Sequence, residues 1–131
     1  MRIIAGKLRG STLYLSKNKN TRPLKDLVRE SVFNLLTHSN KIAFQLEKSN
    51  VLDLYAGTGS FGLECLSREV NYVCFIEKDK FAIEILEKNI EKLKLKNKTK
   101  IFSNDVFTLI EKQNIFVSQF HLIFCDPPFK N

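Results

Sequence analysis

This sequence predicts an α/β fold, a doubly wound and mostly parallel sheet, and three observations carry the prediction. From Asn50 onward, short apolar runs alternate with amphipathic helical segments. The runs are apolar on consecutive residues, as in strands covered on both faces. The segments between them are long enough for right-handed helical crossovers. With 131 residues, 44% of them hydrophobic, the chain reads as one domain, since chains divide only at about twice this size.

The elements follow in order. Ile3-Ile4-Ala5-Gly6-Lys7-Leu8-Arg9-Gly10-Ser11-Thr12-Leu13-Tyr14-Leu15 holds two β-prone runs around a basic glycine turn, so an N-terminal β-hairpin extension is expected, with Lys7 and Arg9 at its tip. Ser16 to Arg22 is polar and aperiodic, which makes residues 1–22 a basic hairpin and arm. Pro23 then opens a helix in which Leu24, Leu27, Val28, Ser31, Val32, Leu35 and Leu36 recur at helical spacing. That pattern predicts one buried face, with Arg22, Lys25 and Arg29 near or outside it.

In the remainder, Val51 to Tyr55 reads as a strand, Ser60 to Ser67 as a helix and Tyr72 to Ile76 as a strand. Lys80 to Leu95 reads as a helix whose Ala82, Ile85, Leu86, Asn89, Ile90 and Leu93 share a face. Lys100 to Ser103 is a third strand, Val106 to Glu111 a short helix and His121 to Cys125 a fourth strand. The lysine-rich stretch Lys92 to Lys100 reads as a solvated helix end and loop, with scope for a second phosphate contact.

Charge and composition narrow the function classes. The net charge is +7, and residues 1–25 hold seven basic side chains and no acidic one. A basic arm on a neutral body is the footprint expected of a partner of a polyanion such as nucleic acid, while for a charge run alone a solvated basic tail that aids solubility is the slightly favoured reading. No run approaches the roughly 18 apolar residues of a membrane span, and no apolar signal core follows Met1, so a cytoplasmic protein is expected. Cys65, Cys74 and Cys125 form neither a C-x-x-C pair nor a His/Cys cluster. They are therefore expected to be reduced core residues, with no disulfide and no metal site. His38 and His121 have no partner at local spacing and receive no role.

The chemistry concentrates at strand ends. Asp53-Leu54-Tyr55-Ala56-Gly57-Thr58-Gly59-Ser60-Phe61-Gly62 joins the first strand to its helix through a glycine turn, which lets a ligand approach the backbone and leaves helix N–H groups free. Gly57, Gly59 and Gly62 also spell G-x-G-x-x-G, with Glu77 twenty residues beyond Gly57, so a nicotinamide cofactor is a candidate on this motif. Asp53 argues otherwise: its charge before the turn opposes a pyrophosphate and suits the ammonium of S-adenosylmethionine. Glu77, ending the second strand, could accept from ribose hydroxyls of either cofactor. Asp105, followed by Val106, could take an adenine amino group, and either Asn104 or Asp105 could instead cap a helix. Asp126-Pro127-Pro128-Phe129 directly follows the fourth strand. The Asp126 carboxylate and Pro127 carbonyl form an acceptor pair for an exocyclic amine, Pro128 stiffens the turn, and Phe129 could stack on a flipped-out base.

At this point the sequence resembles the S-adenosylmethionine-dependent N-methyltransferases, and most specifically the bacterial 16S rRNA (guanine(966)-N(2))-methyltransferase family. Arg2 to Gly10, Thr21-Arg22-Pro23 with Val28 to Leu36, and Val51 to Gly62 with Phe124 to Phe129 carry the likeness. The resemblance implies a Rossmann-like methyltransferase fold with strand order 3-2-1-4 for the part present. It implies cofactor contacts from Asp53, Ala56, Gly57, Thr58, Gly59, Glu77, Asp105 and Val106. Asp126, Pro127, Pro128 and Phe129 would present guanine N2, and Arg2, Lys7, Arg9 and Arg22 would meet ribosomal RNA or the small ribosomal subunit. The resemblance implies no metal, and a monomer is the expected state.

Two departures accompany the likeness. Leu24 and Leu27 stand where the family usually carries a hydroxyl and a basic residue. The family also continues past D-P-P-F with strands that complete the sheet, so the expectation is a truncated gene or partial product with an apolar edge at strand four. A catalytically impaired remnant that binds RNA or cofactor, and an NAD-dependent oxidoreductase, are the alternatives to an RNA methyltransferase.

Overall fold

The computed structural model describes residues 1–15, 26–38, 44–112 and 119–127. Its elements are α1 (Asp26–His38), β1 (Asn50–Leu54), α2 (Ser60–Ser67), β2 (Tyr72–Ile76), α3 (Lys80–Lys92), β3 (Thr99–Phe102), α4 (Val106–Lys112) and β4 (Leu122–Cys125). The four strands form a sheet in the order β3-β2-β1-β4, every neighbouring pair parallel. The predicted fold and strand order therefore hold. The register sets Asp53 of β1 between Phe75 of β2 and Phe124 of β4. It also sets Leu54 opposite Cys125, so the segments after β1 and β4 leave the sheet side by side.

Alternation along the strands divides the core into two layers. Val51, Val73 and Phe75 pack with Phe33 of α1, Phe61, Leu63 and Leu66 of α2, and Leu86 and Ile90 of α3. Leu52, Leu54, Cys74 and Ile76 face the other way, onto Val106 and Leu109 of α4. An aromatic column ties the first layer to β4. Phe33 stacks on Phe61 with ring centres 5.0 Å apart, Phe61 on Phe124 at 3.8 Å, and the Arg68 guanidinium lies 4.3 Å from the Phe33 ring centre.

Three expectations need correction. The first concerns α1, where Leu27, Val28 and Leu35 are exposed and Arg29 and Phe33 are fully buried. The apolar periodicity misled because a charged residue takes the inner face. The Arg29 guanidinium donates to the Arg2 carbonyl and lies 3.9 Å from the Glu64 carboxylate, which supplies a countercharge inside the fold. Secondly, Cys65 and Cys74 are buried as expected, whereas Cys125 is exposed, since β4 stands at the end of the described sheet. Thirdly, α3 ends at Lys92, and Ile83 joins its buried face while Ile85 is only half-buried. Lys94 then turns with φ 58°, a conformation that continues no helix.

The N-terminal extension has the course of a hairpin but only one antiparallel bridge, Arg2 with Thr12. Its backbone is fastened to α2 instead. Glu64, itself buried, accepts from the N–H groups of Ile4 at 2.8 Å and Ala5 at 3.0 Å. Ser67 Oγ accepts from Leu8 N–H at 2.9 Å and donates to the Ala5 carbonyl at 2.5 Å. The approach is so close at Gly6 that a Cβ there would stand 2.0 Å from the Ser67 carbonyl oxygen. Arg22 lies outside the described residues, while Arg2, Lys7 and Arg9 are all exposed on this docked arm. No helix among the described residues is long and apolar enough to cross a membrane.

Candidate functional site

The glycine turn between β1 and α2 is built by carboxylates that take backbone N–H groups. The N-cap position before helix α2 is Gly59, which has no side chain to cap it. Asp53 supplies the missing acceptor from β1, with Oδ2 taking the Gly62 N–H at 3.2 Å. Glu77, just past β2, accepts from Gly57 N–H at 2.8 Å through Oε1, and from Lys78 and Asp79 at 3.0 and 2.9 Å through Oε2. Asp105 accepts from Thr108 N–H at 3.3 Å, so the capping role open to it in the sequence is realised at α4. Val106 is buried beneath it.

Each of these carboxylates retains lone pairs beyond those bonds, because a carboxylate offers about four acceptor positions. Their environments differ, however. Asp53 is 1% exposed, and burial pushes its carboxyl up to about 8 against the help of the Gly62 N–H. The negative fields of Glu77 and Asp126 act in the same direction as burial. Asp53, near the end of β1, thus feels carboxylates that stand just past the ends of β2 and β4. Asp126 is half-buried and Pro127 exposed at the start of the segment after β4; Pro128 and Phe129 lie outside the described residues.

Gly59 has φ 93°, in the left-handed region, and a Cβ there would come within 2.3 Å of Leu86 Cδ1 on α3. Glycine is needed for both reasons. Gly59→Ala is expected to destabilise the fold by about 1–3 kcal/mol, from the αL penalty and the overpacking together. Urea unfolding measures it, and an unchanged midpoint would mean that the turn is not seated on α3.

The turn is also held by a residue that belongs to no motif. Asn89 of α3 is fully buried; its amide donates to the Thr58 carbonyl at 3.0 Å and the Tyr14 carbonyl at 3.1 Å, and accepts the Tyr14 N–H at 2.7 Å. One side chain therefore links the glycine turn to the basic arm. Glu64 and Ser67 were missed in the same way. The available signal was a polar residue on an apolar helix stripe, which must find buried hydrogen bonds. No cluster of three or more metal-binding side chains occurs among the described residues.

The whole of residues 1–131 matches the family described as conserved hypothetical protein 95. Ribosomal RNA small subunit methyltransferase D of Haemophilus influenzae is 36% identical over 129 residues, covering 98% of this chain and 64% of that protein. The protein of the same name from Escherichia coli K12 is 35% identical over 130 residues, 99% of this chain and 61% of its own length. Among solved structures, yhhF of Escherichia coli superposes with TM-score 0.77 at 30% identity, covering 98% of this chain and 64% of its own. The chain spans about two thirds or a little less of the relatives it matches. It belongs to the conserved hypothetical protein 95 family, which includes the bacterial ribosomal RNA small subunit methyltransferase D proteins.

Proposed function

We propose that this chain carries the cofactor-binding and amine-presenting part of an S-adenosylmethionine-dependent RNA methyltransferase, whose target is the exocyclic N2 of a guanine in small-subunit ribosomal RNA. One observation carries the reading: Asp53 and Glu77 take N–H groups of the glycine turn and the helix after it, and Asp126 follows directly on β4, whose register sets it beside the end of β1. The negative fields of Glu77 and Asp126 oppose the pyrophosphate of a nicotinamide dinucleotide, whereas a ligand bearing an ammonium and a sulfonium would draw the proton off Asp53 and pair with its carboxylate. The G-x-G-x-x-G spacing is thereby reconciled with a cofactor that has no phosphate.

Bound S-adenosylmethionine would supply an electrophilic methyl group on sulfur. The protein's own work is positioning. Asp53 with the turn from Ala56 to Gly59 would hold the methionine end, Glu77 the ribose, and Asp105 with Val106 the adenine. Asp126 and the Pro127 carbonyl would accept from the two N–H groups of the guanine amine and aim its lone pair at the methyl. The excess proton would pass to Asp126 or to water. Pro128 and Phe129 belong to the same segment and would complete the base-holding edge. Arg2, Lys7, Arg9 and Arg22 would contact RNA phosphates.

Calorimetric titration of the 131-residue chain tests the donor half. Saturable binding of S-adenosylmethionine is expected and none of NAD, with Glu77→Ala weakening binding by at least about tenfold, or about 1.4 kcal/mol. Binding of NAD, or no binding of S-adenosylmethionine by chain shown to be folded, would overturn the reading.

A further inference from the structure

We propose that Lys94, Lys96 and Lys98, at the end of α3 and in the turn before β3, continue the basic arm into one RNA-binding surface. The inference rests on the RNA reading above and adds a second element to the contact. Outside residues 1–25, positive charge is concentrated in one further place: residues 92–100 hold five lysines and no acid. Residues 26–91 hold seven basic and eleven acidic side chains, and residues 101–131 two and three. The whole positive excess of the chain thus lies in two segments separated by 66 residues.

The fold brings those segments together at two points. Lys92 Nζ donates to the Thr12 carbonyl at 2.7 Å and to Thr12 Oγ1 at 2.6 Å, and lies 5.1 Å from the Tyr14 ring centre. Further along, Lys7 pairs with Glu69 at 2.9 Å, and Lys98 acts on the same carboxylate, helping to hold it below its ordinary range. Glu69 therefore stands between the arm and the lysine turn. Lys92, Lys94, Lys96, Lys98 and Lys100 are all exposed.

Solvated lysines at a helix end favour its negative pole, but that requires only those in the last turn. Lys96 and Lys98 lie beyond it in a separate 3₁₀ turn. Packing this many like charges beside a basic arm raises the local potential, which a regularly spaced polyanion relieves through counterion release. RNA phosphates fit that description, and the surface needs no base recognition to use them.

Fluorescence anisotropy with a short synthetic RNA hairpin, repeated over a series of salt concentrations, tests the proposal. The triple variant Lys94→Gln, Lys96→Gln, Lys98→Gln is compared with Lys78→Gln, Lys80→Gln, Lys88→Gln, which removes the same charge elsewhere. Thermal unfolding verifies that both variants fold. The first variant is expected to bind at least about tenfold more weakly at low salt and to flatten the log–log salt slope by about two, while the second stays within about twofold of the original chain. Equal losses in the two variants would overturn the shared surface and leave only net charge. Displacement of the hairpin by equimolar polyglutamate would overturn RNA as its partner in favour of an acidic protein. Failure of the unsubstituted chain to bind the hairpin would sink the RNA reading itself.

Discussion

Glu64→Ala is expected to destabilise the chain by about 3–5 kcal/mol, a large share of the stability of a domain this size. Glu64 is fully buried and its carboxylate is shared among four neighbours: the N–H groups of Ile4 and Ala5, Arg68 Nε at 2.9 Å, and Arg29 at 3.9 Å. Removing it leaves the guanidinium of Arg29 inside the fold without that countercharge, and charges stranded in this way dominate the cost of breaking a buried pair. The arm should loosen at the same time. Urea unfolding gives the stability, and hydrogen exchange at Ile4 and Ala5 reports the arm. Glu64→Gln, which keeps an acceptor for one N–H, should fall between the two. A loss below about 1 kcal/mol in Glu64→Ala would show that the arm and α2 are held by apolar packing alone.

Asp53 makes stability depend on pH. Its carboxyl keeps its proton in the folded chain up to about 8, against 3.8 for an ordinary side chain, chiefly through burial. The sign follows directly. Because the folded value is raised, the stabilising effect is fully present below the unfolded value and is lost as pH climbs toward the folded one. Each unit is worth about 1.4 kcal/mol. Asp53→Asn removes this titration, so its stability relative to the original chain should rise by about 1.4 kcal/mol per pH unit between about pH 5 and pH 8. Denaturant unfolding at several pH values measures the difference. A constant difference across that range would show that the carboxylate is already ionised in the fold. Under the proposed function a cationic ligand draws the proton off, so affinity for S-adenosylmethionine should increase over the same range in the original chain and remain flat in Asp53→Asn.

Much of this was readable from residues alone. Strand runs such as Tyr72 to Ile76, and Val51 to Leu54 apart from Asp53, carry apolar residues that point to both faces, which a sheet covered on both faces accommodates. The glycine turn was equally clear, because left-handed backbone at Gly57 and Gly59 selects a residue without a side chain. Helix α1 was misread because period-3.6 analysis scores Leu27, Val28 and Leu35 as inward and has no way to foresee a buried arginine. Arg29 turns inward because Glu64, 35 residues away in sequence, stands there to meet it. The roles of Asn89 and Ser67 were hidden for the same reason, since their partners are backbone groups of a distant segment.

By itself, then, the sequence determined the order of strands and helices, the turn at Gly57 to Gly59 and the acids at the strand ends, all of which follow from local periodicity and backbone preference. The tertiary structure decided how the pieces share their charges. It placed Glu64 under the arm, Asn89 between arm and turn, and Lys92 against Thr12. It also turned Asp53 from an acid near a turn into a buried carboxyl that caps α2 and feels two neighbours. The physical reason is range: periodicity is a property of residues a few positions apart, whereas desolvation and charge pairing depend on whatever the fold brings within a few ångströms.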